Sequence, residues 1–276
     1  MEVRLAKKHG FCFGVKRAIK IAEKNKNSFT LGPLIHNYQE INRLQQNFNV
    51  GLEEDYTQIK EGSTLIIRTH GIPKGDLEKI KAKQFHVVDA TCPFVTKPQQ
   101  IVEKISQEGY QIIIFGDITH PEIKGVMSYA KNQDNTIVIS DLQALKQQKI
   151  YQKVALISQT TKQIEKFNEI ASYLITKCHE VRIFNTICNA TFDNQQSARE
   201  LSLEVDVMVI VGGKTSSNTK QLFMIAKENC KDSYLVEDEK EIQKEWFYGK
   251  KICGITAGAS TPDWIVQKVK EHIENI

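Results

Sequence analysis

VMVIVGGKTSSNT, residues 207–219, runs a five-residue apolar stretch rich in β-branched residues into a loop of two glycines, hydroxyls and an amide. Amphipathic sequence follows over 220–229. An apolar run without polar alternation reads as a strand covered on both faces, as in a parallel sheet between helices. The same alternation fills the chain. Strand-like runs stand at 64–67, 87–88, 111–115, 154–157, 181–184 and 252–255, and helical periodicity at 97–108, 161–176, 192–204 and 263–273. The reading is α/β with mainly parallel sheets. In such sheets ligands gather beyond the carboxyl ends of the strands.

Three cysteines punctuate this pattern. Cys12, Cys92 and Cys188 each follow a strand-like segment and open a helix-like one, in GFCFG, DATCP and TICNAT. Counting forward, Cys12 precedes His36 by 24 residues, Cys92 precedes His120 by 28 and Cys188 precedes Ser216 by 28. A second polar loop follows 58, 68 and 72 residues beyond the respective cysteines, in THG, QTT and AGAS. The recurrence predicts three related α/β units, 14–93, 94–188 and 189–276, arranged with pseudo-threefold symmetry around a central cluster site. By the same analogy the N-terminal strand, within 1–13, pairs with the third unit.

Composition narrows the function classes. Lys plus Arg is 37 against 33 for Asp plus Glu, and a net charge of +4 on 276 residues is too mild to argue for nucleic acid. No apolar stretch reaches the roughly 18 residues of a membrane span, and MEVRLAKKHGFCFG lacks the apolar centre of a signal peptide. A cytoplasmic protein is expected, with no membrane or nucleic-acid partner. Six dispersed cysteines do not form a secreted disulfide framework, so free thiols or metal ligands remain. Cys178, Cys230 and Cys253 lie in apolar surroundings and read as small core side chains.

Spacings of 80 and 96 residues between Cys12, Cys92 and Cys188 exclude a local CxxC knuckle, so any site they make is built by the fold. A helix start beside each thiol favours thiolate. Ligands and buried core thiols are both open on this pattern alone. His36, His70 and His120 each follow an apolar run beside Gly or Pro, in GPLIHN, RTHGIP and DITHPE. They read as anion ligands at equivalent positions of repeated units, or as ordinary turn residues. His9, His86, His179 and His272 lack this context. Glu122 is the carboxylate placed for proton transfer, or a cap of the following helix. The loop GGKTSSNT, the Thr160 loop and Ser260-Thr261-Pro262 offer hydroxyls and backbone N–H groups at helix starts, as anion sites or as plain N-caps.

With these residues in view the sequence resembles the 4-hydroxy-3-methylbut-2-enyl diphosphate reductase family. GFCFGVKRAI, LGPLIHN, RTHGIP, DATCPFVTK, GDITHPE, SQTT, NTICNAT, GGKTSSNT and TAGASTPDW stand in the family's order from end to end. One departure is Pro98, which is expected to shift the start of the helix after Cys92. The resemblance implies a 4Fe-4S cluster with three cysteine ligands, Cys12, Cys92 and Cys188, and one open iron. It implies an allylic diphosphate substrate held by His36, His70, His120, Ser216, Ser217, Asn218 and Ser260, with Asn218 and Thr191 also positioning the alcohol and the Glu122 carboxyl, and Glu122 supplying protons through Thr160 or the substrate hydroxyl. His120 and Thr160 share that proton path. It further implies loss of the allylic hydroxyl with two electrons and two protons, to give isopentenyl and dimethylallyl diphosphate. The electrons come from a transient donor such as ferredoxin or flavodoxin, and a monomer is expected. Two other classes would use the same three cysteines: a non-redox 4Fe-4S hydro-lyase and an iron-sulfur sensor.

Overall fold

The computed structural model describes every residue, Met1–Ile276. The chain opens with β1 (Glu2–Leu5) and α1 (Phe13–Lys24), then β2 (Ser28–Leu31), α2 (Tyr38–Phe48), β3 (Val50–Glu53), β4 (Thr64–Ile67), α3 (Lys74–Lys81) and β5 (His86–Asp89). After α4 (Pro93–Gln107) come β6 (Gln111–Phe115), α5 (Pro121–Met127), β7 (Thr136–Ile139), α6 (Leu142–Lys146), β8 (Lys153–Ser158), α7 (Ile164–Lys177) and β9 (Glu180–Ile183). The last part is α8 (Asn189–Ser202), β10 (Val207–Val211), α9 (Ser217–Asn229), β11 (Ser233–Val236), β12 (Ile252–Ala257) and α10 (Asp263–Glu274).

The twelve strands form three four-stranded sheets, ordered β1-β12-β10-β11, β5-β4-β2-β3 and β9-β8-β6-β7. Every pairing is parallel. The N-terminal strand does pair with the C-terminal part of the chain, with Glu2 opposite Ile252 and Leu5 opposite Ile255. Met1–Lys16, Ile35–Arg43 and Asn189–Ile276 make one compact unit, which holds the first sheet. Arg17–Leu34 and Leu44–Cys188 make the other, which holds the remaining two.

Alternation along a fully buried strand sends successive side chains into two different cores. On β10, Val207, Val209 and Val211 pack with Ile265, Val266 and Val269 of α10, while Met208 and Ile210 pack with Leu201 of α8 and Leu222 of α9. On β6, Ile113 and Phe115 meet Phe167, Ile170 and Leu174 of α7, whereas Ile112 and Ile114 meet Val102 of α4 and Ile123 of α5. Each such side chain contributes about 1.5–3 kcal/mol on burial. These cores hold the strand ends, and therefore the loops beyond them, in fixed places.

Two expectations need correction. Pro98 does not shift the start of its helix: α4 begins at Pro93 and runs through a buried Pro98 to Gln107. Pro93 occupies the first helical position, where its missing N–H costs nothing. Pro98 forfeits only the bond to the Phe94 carbonyl, on a first turn that lies at the surface. The forward counting from each cysteine also groups the loops wrongly. The sheet that ends in Cys92 after β5 carries the Thr69 loop after β4, and the sheet that ends in Cys188 after β9 carries the Thr160 loop after β8. Each cysteine thus belongs with the loops before it in the chain, and Cys12 joins the last set because β1 is the edge strand beside β12.

Candidate functional site

In each sheet the edge strand leads to a cysteine, and the cysteine amide ties back to the loop of the neighbouring strand. The Cys12 N–H donates to the Ala259 carbonyl at 3.2 Å, the Cys92 N–H to Thr69 at 3.0 Å and the Cys188 N–H to Thr160 at 3.0 Å. Each cysteine is the residue just before a helix, α1, α4 or α8. All three are half-buried, whereas Cys230 and Cys253 are closed in apolar cores. Burial pushes the Cys253 thiol up to about 12 and also raises Cys178, so those sulfurs stay protonated.

The third strand of each sheet makes a matching turn. Gly32, Gly116 and Gly212 donate to the last residue of the fourth strand, at 2.7, 2.9 and 2.8 Å. Beyond that turn lie His36, His120 and Ser216, so these three are equivalent. His70 is not their counterpart. It follows Thr69 in the second loop, the place held by Thr161 and Ser260 in the other sheets. Its ring meets that of His120 edge-on, with centroids 5.3 Å apart and planes at 85°.

Glu122 sits in the first turn of α5, 2 % exposed. Its carboxylate accepts the Thr160 N–H at 2.8 Å and the Thr160 hydroxyl at 2.7 Å. The Glu122 N–H donates to Nδ1 of His120 at 3.2 Å, which caps the helix with an imidazole. An accepting Nδ1 leaves Nε2 as the ring's N–H donor in the neutral form. Burial holds the Glu122 carboxyl above the usual carboxylate range, against the two hydrogen bonds from Thr160, which pull it down. Once the carboxyl is protonated, the hydroxyl of Thr160 can accept where it now donates, so proton and hydroxyl orientation exchange within one contact.

That raised pKa has a stability consequence. In the window above the ordinary carboxylate value the folded chain keeps a proton that the unfolded chain releases. The contribution of Glu122 is therefore complete below that ordinary value and is lost as pH rises through the raised one. Urea titrations from acidic to neutral pH are expected to show this falling component in the parent protein and not in Glu122→Gln. Identical pH slopes in the two would remove it.

In the other unit Ser216 caps α9, its Oγ accepting the Thr219 N–H at 3.3 Å, and Ser217 and Asn218 form the helix's first turn. The Asn218 side chain is buried with neither its oxygen nor its nitrogen hydrogen-bonded within the protein. A buried amide left so is costly, and a polar ligand satisfies it. The start of α9 adds the positive end of a helix dipole, which suits an anion. Ser260 donates its hydroxyl to the His36 carbonyl at 3.1 Å, and Thr191 is buried in the first turn of α8.

Gly213 holds this loop against the chain at His36. A Cβ there would lie 2.5 Å from the His36 carbonyl oxygen, which is backbone and cannot swing aside. Gly213→Ala is expected to cost about 1–3 kcal/mol, read as a lower urea midpoint. An unchanged midpoint would mean that the two segments separate freely.

Sequence reasoning gave no role to Gln159 or Asn37. The buried Gln159 carboxamide accepts the Asp117 N–H at 3.0 Å and donates to the Thr161 hydroxyl at 3.2 Å, joining the loops after β6 and β8 and so fixing Glu122 against Thr160. Its place inside SQTT was the available signal. Asn37 caps α2 by accepting the Glu40 N–H at 3.0 Å.

Comparison with known proteins adds to this geometry. The profile of the LytB protein family matches residues 3–274. A protein of Helicobacter pylori named 4-hydroxy-3-methylbut-2-enyl diphosphate reductase is 64% identical over 276 residues, covering 100% of both chains. A like-named protein of Nitratiruptor is 62% identical over 100% of this chain and 99% of its own. Among solved structures, (E)-4-hydroxy-3-methyl-but-2-enyl diphosphate reductase, described as the terminal enzyme of the non-mevalonate pathway, is 42% identical with a TM-score of 0.70 and full coverage of both chains. The Plasmodium falciparum reductase is 25% identical, with a TM-score of 0.92 over 98% of this chain and 87% of that one.

Proposed function

Because the chain belongs to the LytB protein family, we propose that Cys12, Cys92 and Cys188 hold a 4Fe-4S cluster whose fourth iron has no protein ligand. The protein is an iron-sulfur reductase that removes the allylic hydroxyl of 4-hydroxy-3-methylbut-2-enyl diphosphate. Two electrons and two protons enter, water leaves, and isopentenyl and dimethylallyl diphosphate form. The observation that carries the ligand reading is the repeated cysteine setting: three half-buried thiols at helix starts, each amide tied to a polar loop. One repeat per sheet, 14–93, 94–188 and 189–276 with 1–13, then supplies one thiol and two donor loops.

When bound, the cluster supplies the electrons and a Lewis-acidic iron. The chain supplies the rest. His36, His70, Ser216, Ser217, Asn218 and Ser260 bind the diphosphate as neutral or protonatable donors. Away from water such donors select an anion without lysines, because charge-assisted hydrogen bonds strengthen there. His120 offers Nε2–H to the same anion. Glu122, whose carboxyl is held above the usual carboxylate range by burial, gives a proton to the departing hydroxyl, and Thr160 relays or orients that proton. Thr191 positions the alcohol. The second proton reaches either end of the allylic unit, which accounts for two isomeric products.

No helix is long and apolar enough to cross a membrane. The protein works in the cytoplasm as a monomer, and a small ferredoxin or flavodoxin delivers its electrons. Anaerobic turnover of hydroxymethylbutenyl diphosphate is expected only with a reductant and mediator. Equal turnover without reductant would assign a hydro-lyase instead, and none under either condition a sensor.

A further inference from the structure

We propose that a cleft beside Cys92 is the docking face for a small acidic electron-carrier protein. The proposal rests on the reductase reading, which brings two electrons from outside in each turnover. The cleft encloses about 410 Å³, and Thr91 and Pro93, the neighbours of Cys92 in sequence, form part of its lining. Cys92 itself, half-buried, stands between these two lining residues in the chain. Electron tunnelling weakens steeply with distance, so a carrier gains most by seating where a cluster ligand comes near the surface.

The charge of the cleft suits an acidic partner. Arg17 of α1 and Lys97 of α4 stand on its walls. Arg17 is pinned there, its guanidinium donating to the carbonyls of Thr91 at 3.2 Å and Asp89 at 3.3 Å. Lys20 and Lys24 continue from Arg17 along the same face of α1, and Lys104 continues from Lys97 along α4, all exposed. Asp89 is the one acidic lining residue, and its carboxylate accepts the Thr91 N–H at 2.8 Å. The start of α4 adds the positive end of a helix dipole. Phe94, next in sequence to the lining residue Pro93, has a ring that is 40 % exposed. A small apolar centre with a charged rim is what a transient electron-transfer complex uses, since the rim steers encounter without making release slow.

The test uses the cluster-loaded enzyme under anaerobic conditions, with a reduced acidic 2Fe-2S ferredoxin as one donor and reduced methyl viologen as another. Lys20→Glu combined with Lys97→Glu is expected to raise the KM for ferredoxin about tenfold at low ionic strength, with the difference shrinking at high salt. Viologen-driven kcat is expected to stay unchanged. Calorimetric binding of oxidised ferredoxin should weaken by the same factor, a readout that does not depend on turnover. An unchanged ferredoxin KM and affinity overturn the proposal, as does an equal shift from the paired control Lys131→Glu and Lys149→Glu, exposed lysines outside the cleft. Loss of viologen turnover in the parent enzyme would instead strike the reductase reading, leaving the ferredoxin affinity to decide the docking face.

Discussion

Glu122→Gln is expected to leave a folded, cluster-loaded protein that binds substrate and has lost about 10²–10⁴-fold in kcat, the usual contribution of a positioned general acid. The amide matches the carboxyl in shape, and its oxygen can still accept the Thr160 N–H that Glu122 accepts at 2.8 Å. The Thr160 hydroxyl can rotate to accept from the amide nitrogen, so the 2.7 Å contact has a replacement. What disappears is a removable proton in a buried place. KM should therefore hold while kcat falls, as expected of a group that acts in the transition state and not in binding. Steady-state kinetics with viologen as donor, together with iron content and thermal midpoint, read all three quantities. Near-normal kcat would demote Glu122 to a helix-start residue and send the proton route through His120.

Part of this arrangement could be read directly from residues. Runs such as 111–115 and 207–211 are buried on both faces, and continuous apolar sequence marks them without ambiguity. The strands missed are β2, β3, β7 and β11. Three of these, β3, β7 and β11, are the outer edge strands of their sheets, only part-buried along their length, so VGLE, TIVI and SYLV need no strong pattern and four residues give little periodicity. β2 is internal, but SFTL buries Ser28 and Thr30 through hydrogen bonds instead of apolar contact. Helix starts were also placed late. α4, α8 and α9 begin at Pro93, Asn189 and Ser217, against periodicity that starts at 97, 192 and 220. Their first turns carry Pro, Thr, Ser and Asn, which break the apolar rhythm. Three residues proposed to bind substrate, Thr191, Ser217 and Asn218, stand in those first turns. The pairing of each cysteine with its loops was illegible for a different reason. Chain order ranks Cys12 first, and only the pairing of β1 with β12 returns it to the last set.

The six cysteines provide a comparison in which the same chemical change separates two roles. Cys12→Ser, Cys92→Ser and Cys188→Ser are each expected to fold yet lose normal cluster loading and, with it, essentially all turnover. A serine hydroxyl is a poor replacement for the thiolates that hold iron-sulfur clusters. The backbone bonds at these positions run through N–H groups to Ala259, Thr69 and Thr160, which the substitution leaves in place, so the fold has little to lose. Cys253→Ser should do the reverse. That sulfur is 0 % exposed among Val207, Val209 and Ile255, and a hydroxyl buried there without a good partner costs about 1–3 kcal/mol while iron and sulfide content stay at the parent value. Anaerobic iron and sulfide analysis with electron paramagnetic resonance, set beside urea midpoints, separates the two outcomes. Unchanged iron in any of the first three removes that residue from the ligand set. A cluster lost from a folded Cys253→Ser would mean that burial does not distinguish structural from ligating sulfur in this chain.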